Sequence, residues 1–264
     1  MTHDFSANEK KALMERLALS LPVNFSDPVL IGRPPAVAGE LGPSLFSATL
    51  TYLELGERKI GVTNAHVIRH YQNQHHQDGV TIFQLPDGVL RDLDQRLIDV
   101  DDGSDLATID LSDLTLTPRD VPQEERRPRQ FHRPASWPPE AVAEGDVVAY
   151  GGWPGALRRD SSDLWDVESS AYTMIGMTVS RAMPDRFNVK LDRTDMTLAF
   201  GRTFTDTKDY DFRGMSGGPV LRRRPLCYEF VGIISEYSEV LDQFVFTSAE
   251  NIKSNGELWH NTRR

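Results

Sequence analysis

The sequence predicts an all-β protein built from two successive units of short antiparallel strands. The first observation is a series of β-type runs broken by turn residues between about 44 and 120. The second is another series of the same kind from about 146 to 248. The third is the stretch between them: residues 118–139 hold six prolines, at 118, 122, 128, 134, 138 and 139, and so cannot supply the N–H donors of a ladder. That stretch reads as an extended connector. A length of 264 residues accommodates this plan as one large domain or two small ones.

The elements follow in order. Residues 6–21 begin with Ser6 as a helix cap and Glu9 three places on, then bring Leu13, Met14, Leu17 and Leu21 to one face. Pro22 lies just past that helix, which is expected as an appendage over residues 1–24 covering a β edge. In the first unit, SLFSATLTYLEL, the turn GERK, IGVTNAHVI, VTIFQL, the turn PDG and LATIDL alternate strand and turn. In the connector, Arg126, Arg127, Arg129 and Arg133 are read as solvated charge. The second unit continues through DVVAYGG, YTMIGMTVS, the turn MPDR, FNVKLD, PVLRR, YEFVGIIS and QFVFTS. Ser248 then offers a cap for a short closing helix, which Gly256 interrupts. No internal repeat of solenoid type is present.

Composition narrows the function classes. Hydrophobic residues at 39% and charged residues at 26% describe an ordinary globular chain. A formal charge of -10 opposes broad phosphate binding, so nucleic acid is not an expected partner. The apolar runs are far shorter than the roughly 18 to 20 residues that cross a bilayer, so no membrane partner is expected. Cys227 is the sole cysteine and can form no intrachain disulfide, and MTHDFSANEKK lacks the apolar stretch of a signal peptide. A cytoplasmic location is the expectation.

The chemistry concentrates at Arg213-Gly214-Met215-Ser216-Gly217-Gly218-Pro219-Val220, where glycines surround one serine ahead of a strand. Such a turn can expose a hydroxyl and aim the N–H groups of Gly214 and Ser216 at one point, as a developing oxyanion requires. An ordinary Gly-rich turn is the competing structural explanation. A serine hydroxyl needs a base, usually an imidazole oriented by a carboxylate. His66, in Thr63-Asn64-Ala65-His66-Val67 after an apolar strand, is the candidate base. His3, His132 and His260 fall in a tail, the connector and the terminal helix. His70, His75 and His76 lie in a polar segment without companion cysteines or a HExxH spacing, so no metal site is expected there. Asp99, Asp101, Asp102, Asp105 and Asp110 crowd a dozen residues; Asp105 leads directly into Leu106-Ala107-Thr108-Ile109 and is the candidate orienting acid, with Asp102 the second choice.

TNAHV, SDLATI and GMSGGPV, in the chain order His, Asp, Ser, resemble the chymotrypsin-like serine peptidase superfamily, particularly its HtrA/Deg-like bacterial branch. DVVAYGGWPG and Val231–Ser235 are similar to further segments of that family, and the likeness covers roughly residues 40–250. The resemblance implies two six-stranded antiparallel barrels, 25–117 and 140–250, joined by 118–139 and followed by a tail at 251–264, with the cleft between them. By the same resemblance Ser216 attacks a peptide carbonyl, His66 moves the proton, Asp105 holds the imidazolium, and Gly214 with Ser216 forms the oxyanion hole. Ser235, Glu236 and Tyr237 pair with the substrate as an added strand, and Tyr210 with Tyr237 shapes the pocket for the residue before the cut. The expected partner is a protein or peptide substrate, with no cofactor and no metal.

The chain departs from the family in two ways. Met215 stands where activated secreted relatives carry an Asp, so ion-pair activation is not available. On the length after the second unit, no PDZ domain is expected. A peptide-binding or self-cleaving module with a closed cleft, regulated through a protein partner, is the alternative to a general endopeptidase, and an esterase would use the same machinery.

Overall fold

The computed structural model describes residues 19–33, 45–116, 129–160, 167–169, 171–191, 211–225 and 227–260. Two β units are present. In the first, β1 (Ser26–Gly32), β2 (Phe46–Leu55), β3 (Arg58–Thr63), β4 (Ile82–Leu85), β5 (Gly88–Val89), β6 (Leu97–Asp101) and β7 (Leu106–Asp110) form one sheet in the order β5-β4-β1-β2-β3-β7-β6. It carries a seventh strand because β4 folds back through the predicted turn, pairing Leu85 with Gly88. In the second unit β8 (Val147–Gly152), β11 (Tyr172–Ala182), β12 (Arg186–Lys190), β13 (Pro219–Arg223), β14 (Tyr228–Ser238) and β15 (Gln243–Ser248) close a six-stranded barrel in the order β11-β12-β15-β14-β13-β8. Short strands β9 (Arg158–Asp160) and β10 (Val167–Ser169) pair beside it.

Alternation explains which side chains fill each unit, because neighbouring residues of a strand face opposite sides of its sheet. Tyr150, Tyr172, Phe187, Phe244 and Phe246 are fully or almost fully buried inside the barrel. Val29, Ile31, Leu50, Tyr52, Phe83 and Ile109 fill the first unit. A third cluster joins them: Leu53, Ile60 and Leu106 of the first unit meet Leu221, Phe230 and Ile233 of the second. The seam on which the site lies is thus sealed by apolar contact.

Four segments differ from expectation. Residues 19–24 (α1) are helical, so the chain stays helical past Pro22, and its beginning lies outside the described residues. The Pro22 carbonyl is satisfied by Phe25 N–H at 3.3 Å and by Ser26 Oγ at 3.0 Å, which lets the helix end within β1's approach. The polar segment after TNAHV is a helix, α2 (Ala65–Asp78), stopped by Gly79 at φ 67, whose N–H donates to His75. Only Ala65, Val67, Ile68 and Tyr71 of α2 are buried, so its apolar stripe is too thin to stand out in sequence.

The connector's last residues are not a solvated tether. His132 exchanges hydrogen bonds with Tyr52 and Glu54 of β2, and its buried ring meets Phe25 edge-on. Burial draws its pKa down to about 4. Arg129, read as solvated charge, has a side chain only 1% exposed and grips Asp27 and Asp87, while Tyr52 donates to Asp27 at 2.7 Å. Buried charge is tolerated because it is paired and hydrogen-bonded on every side. Residues 117–128 lie outside the described residues.

The closing helix is one 3-10 turn, Ala249–Asn251, with Ser248 accepting from Glu250 N–H as the sequence suggests. Residues 252–260 then loop back across the first unit. Thr108 Oγ1 donates to the Gly256 carbonyl at 2.7 Å and Leu258 N–H to Asp99 at 3.0 Å. His260 pairs with Asp99 from this loop and not from a helix.

Candidate active site

His66 sits in the first turn of α2 because Asn64, extended at φ -83 and ψ 150, turns the chain out of β3 straight into the helix. Asp105 precedes β7 in the left-handed region at φ 55, a conformation Asp tolerates better than most residues. Its carboxylate meets His66 Nδ1 at 3.0 and 3.1 Å and also accepts the His66 backbone N–H at 3.0 Å. Asn64 Nδ2 donates to the Asp105 carbonyl at 3.0 Å and to its carboxylate at 3.1 Å, and Ser235 Oγ adds a bond at 3.1 Å. Burial alone would raise the Asp105 pKa; the hydrogen bonds and charge of His66, with Ser235, outweigh it and hold the carboxyl below its usual value. An ionised Asp105 accepting from Nδ1–H leaves Nε2 of His66 free to take a proton. Asp102, the second choice, instead binds Arg69 through two bonds of 3.1 Å.

Ser216 rises from the second unit in the turn before β13. Its peptide neighbourhood is pinned almost group by group. Gly155 N–H donates to the Arg213 carbonyl at 2.8 Å, and Met215 N–H to Phe212 at 3.1 Å. Gly218 N–H donates to the Met215 carbonyl at 2.9 Å, and Gly217 N–H to Ile234 at 2.8 Å. A trans peptide points its C=O and N–H in opposite directions. Tying back the carbonyls of Arg213 and Met215 therefore turns the N–H groups of Gly214 and Ser216 the other way, and neither donates to any described group. Gly214 and Gly217 hold φ values of 100 and 91, and a Cβ on Gly217 would lie 2.0 Å from the Thr49 carbonyl. These glycines serve close packing as well as the turn.

His66 and Asp105 thus share one hydrogen-bonded group, to which Ser235 of the second unit contributes. Ser216 Oγ itself donates to the Ser235 carbonyl at 3.2 Å, and no hydrogen bond joins it to His66. Glu236 is exposed on β14. The Tyr237 ring stands against Phe212 and Phe244 with centroids 4.7 and 5.1 Å away, and its hydroxyl donates to Asp242. Tyr210 lies outside the described residues. A cleft of about 470 Å³ opens beside the imidazole, lined by His66, Arg69, His70, Asn73, Asp102 and Asp105. Among the described residues no group of three or more His, Cys, Asp or Glu side chains is placed to hold a metal ion. His70 stacks on Phe46 and His75 on Tyr71 instead.

Sequence reasoning missed Asn64, the hydroxyl of Ser235 as a carboxylate partner, and the threonines of β2. Asn64 stood inside the quoted TNAHV motif, and only its place beside His66 hinted at a role. The threonines had no local signal, because their partners are about 165 residues away in sequence.

No family model and no curated protein matches this chain. Among solved structures, it is similar to a mutant of the tobacco etch virus protease at 13% identity and a TM-score of 0.44, over 85% of this chain and 73% of that one.

Proposed function

We propose that the chain is a serine endopeptidase. The observation that carries this reading is a carboxylate-held imidazole on one β unit linked through Ser235 to a serine turn on the other, whose Gly214 and Ser216 N–H groups donate to no described group. Ser216 Oγ leaves the Ser235 carbonyl by rotating about its Cα–Cβ bond and passes its proton to His66 Nε2 as it attacks the scissile carbon. The resulting imidazolium is stabilised by Asp105, and the oxyanion by the N–H groups of Gly214 and Ser216. The protonated His66 then gives its proton to the leaving amine, and water repeats the sequence on the acyl-enzyme. Because β13 begins opposite Ile233, no described strand pairs with β14 beyond that point on this side, and residues 235–238 offer an edge for an extended peptide. Protein or peptide substrates, cytoplasmic residence and the HtrA/Deg-like branch, which rests on the three motifs alone, belong to this proposal.

A second reading is favoured by one observation, the Ser216 hydroxyl resting on Ser235 and not on His66. In it the cleft is latent and a partner or bound peptide triggers the rotation. Fluorophosphonate labelling separates the two. The endopeptidase reading expects the resting chain to be labelled at Ser216, with labelling lost in Ser216→Ala and His66→Ala. An unlabelled but folded chain supports the latent module.

A further inference from the structure

The two oxyanion donors belong to different peptide units, Arg213–Gly214 and Met215–Ser216, separated by the Gly214–Met215 peptide. Their mutual orientation depends on how that middle peptide is held. Its carbonyl oxygen accepts the Thr49 hydroxyl at 2.8 Å, and the Thr49 hydroxyl in turn accepts the Trp153 N–H at 3.0 Å. The backbone of the same threonine donates to the Ser216 carbonyl at 2.9 Å. Thr63 Oγ1 fixes the Thr49 carbonyl at 2.9 Å, and Thr51 Oγ1 donates to Gly217 at 2.7 Å. Thr49, Thr51 and Thr63 are fully buried, so no water competes for these bonds.

Resting on the serine endopeptidase reading, we propose that Thr49 is a positioning residue, which sets the oxyanion hole of the second unit from β2 of the first. Its hydroxyl is the only part of the side chain that can donate to Gly214 and accept from Trp153 at once. Valine keeps the branched shape but offers neither function, whereas serine keeps both. A donor displaced by a fraction of an ångström stabilises the oxyanion less while leaving the ground-state peptide contacts along β14 unchanged, so the effect belongs in kcat and not in KM.

The test compares wild type, Thr49→Val, Thr49→Ser and Thr108→Val on one cleavable peptide, with thermal unfolding of each. Thr108 is a matched control: it is equally buried in the first unit, and its hydroxyl bonds to Gly256 away from the serine turn. Thr49→Val is expected to lower kcat by about 10- to 100-fold with KM within about twofold and an unshifted pH profile. Thr49→Ser is expected to stay within about threefold of wild type, as is Thr108→Val despite a comparable fall in Tm. A folded Thr49→Val with wild-type kcat overturns the assignment, as does a Thr49→Ser that fails to rescue or a Thr108→Val that loses kcat equally. Fluorophosphonate labelling of Ser216 in wild type keeps the two claims apart: with labelling intact these failures reject Thr49 alone, and without it the peptidase reading falls and takes the assignment with it.

Discussion

Asp105 accepts bonds from the ring and backbone of His66, from Asn64 and from Ser235, and through the His66 N–H the same carboxylate lies against the N-terminal turn of α2, where the helix end favours negative charge. One acid therefore orients the base and anchors the helix that carries it. Its pKa lies below the ordinary Asp value of about 3.9, so the folded state binds a proton less readily than the unfolded chain. The stability it adds is present above about pH 4 and is lost as the pH falls through the folded value. Urea titrations of wild type and Asp105→Asn should show a gap in midpoint at pH 6 that closes toward pH 2. A gap unchanged by acid would mean that the carboxylate is not held as described. His66 and Asp105 were recognisable in sequence because their short motifs flank predicted strands. The pairing of Asp102 with Arg69 was not, because it depends on which face of an unpredicted helix meets the loop.

Among the elements, the serine turn and β2 depend on each other most closely. A Cβ on Gly217 would fall 2.0 Å from the Thr49 carbonyl and 2.6 Å from Thr63 Oγ1, at a φ of 91, and one on Gly218 would fall 2.1 Å from the Gly151 carbonyl. Gly217→Ala should therefore destabilise by about 3 kcal/mol or more and remove Ser216 labelling in whatever fraction folds, which chemical denaturation with parallel labelling would measure. A variant of wild-type stability would contradict the close approach. Strands and their turns were legible because period-two alternation with Gly, Pro and Asp punctuation is a local signal. Helix α2 was not: six polar or histidine side chains from His70 to His76 interrupted only by Tyr71 and the absence of a side-chain cap left little local pattern, and its burial comes from packing on strands of the sheet. The 252–260 loop escaped for the same reason, since Gly256 fits against Ile60 and Ile98 of the other unit.

For the whole molecule, several described contacts between the two units gather near the candidate site. The shared apolar cluster seals the seam, the threonines of β2 hold the serine turn, Ser235 bonds to Asp105, and Thr247 Oγ1 donates to Ser104 beside it at 3.1 Å. The two-unit plan was visible in the sequence as two strand series around a proline-rich stretch. The ion-paired anchoring of Arg129 to Asp27 was hidden, because 102 residues separate the partners. Catalysis at the seam is the central claim, and the most direct measurement is mass-spectrometric analysis of a peptide library incubated with wild type and with Ser216→Ala. New internal cleavages that appear with wild type and vanish with the variant are the predicted result. Cleavage that persists undiminished in Ser216→Ala, or a wild-type chain that takes up fluorophosphonate yet cuts no peptide in the library, would contradict it.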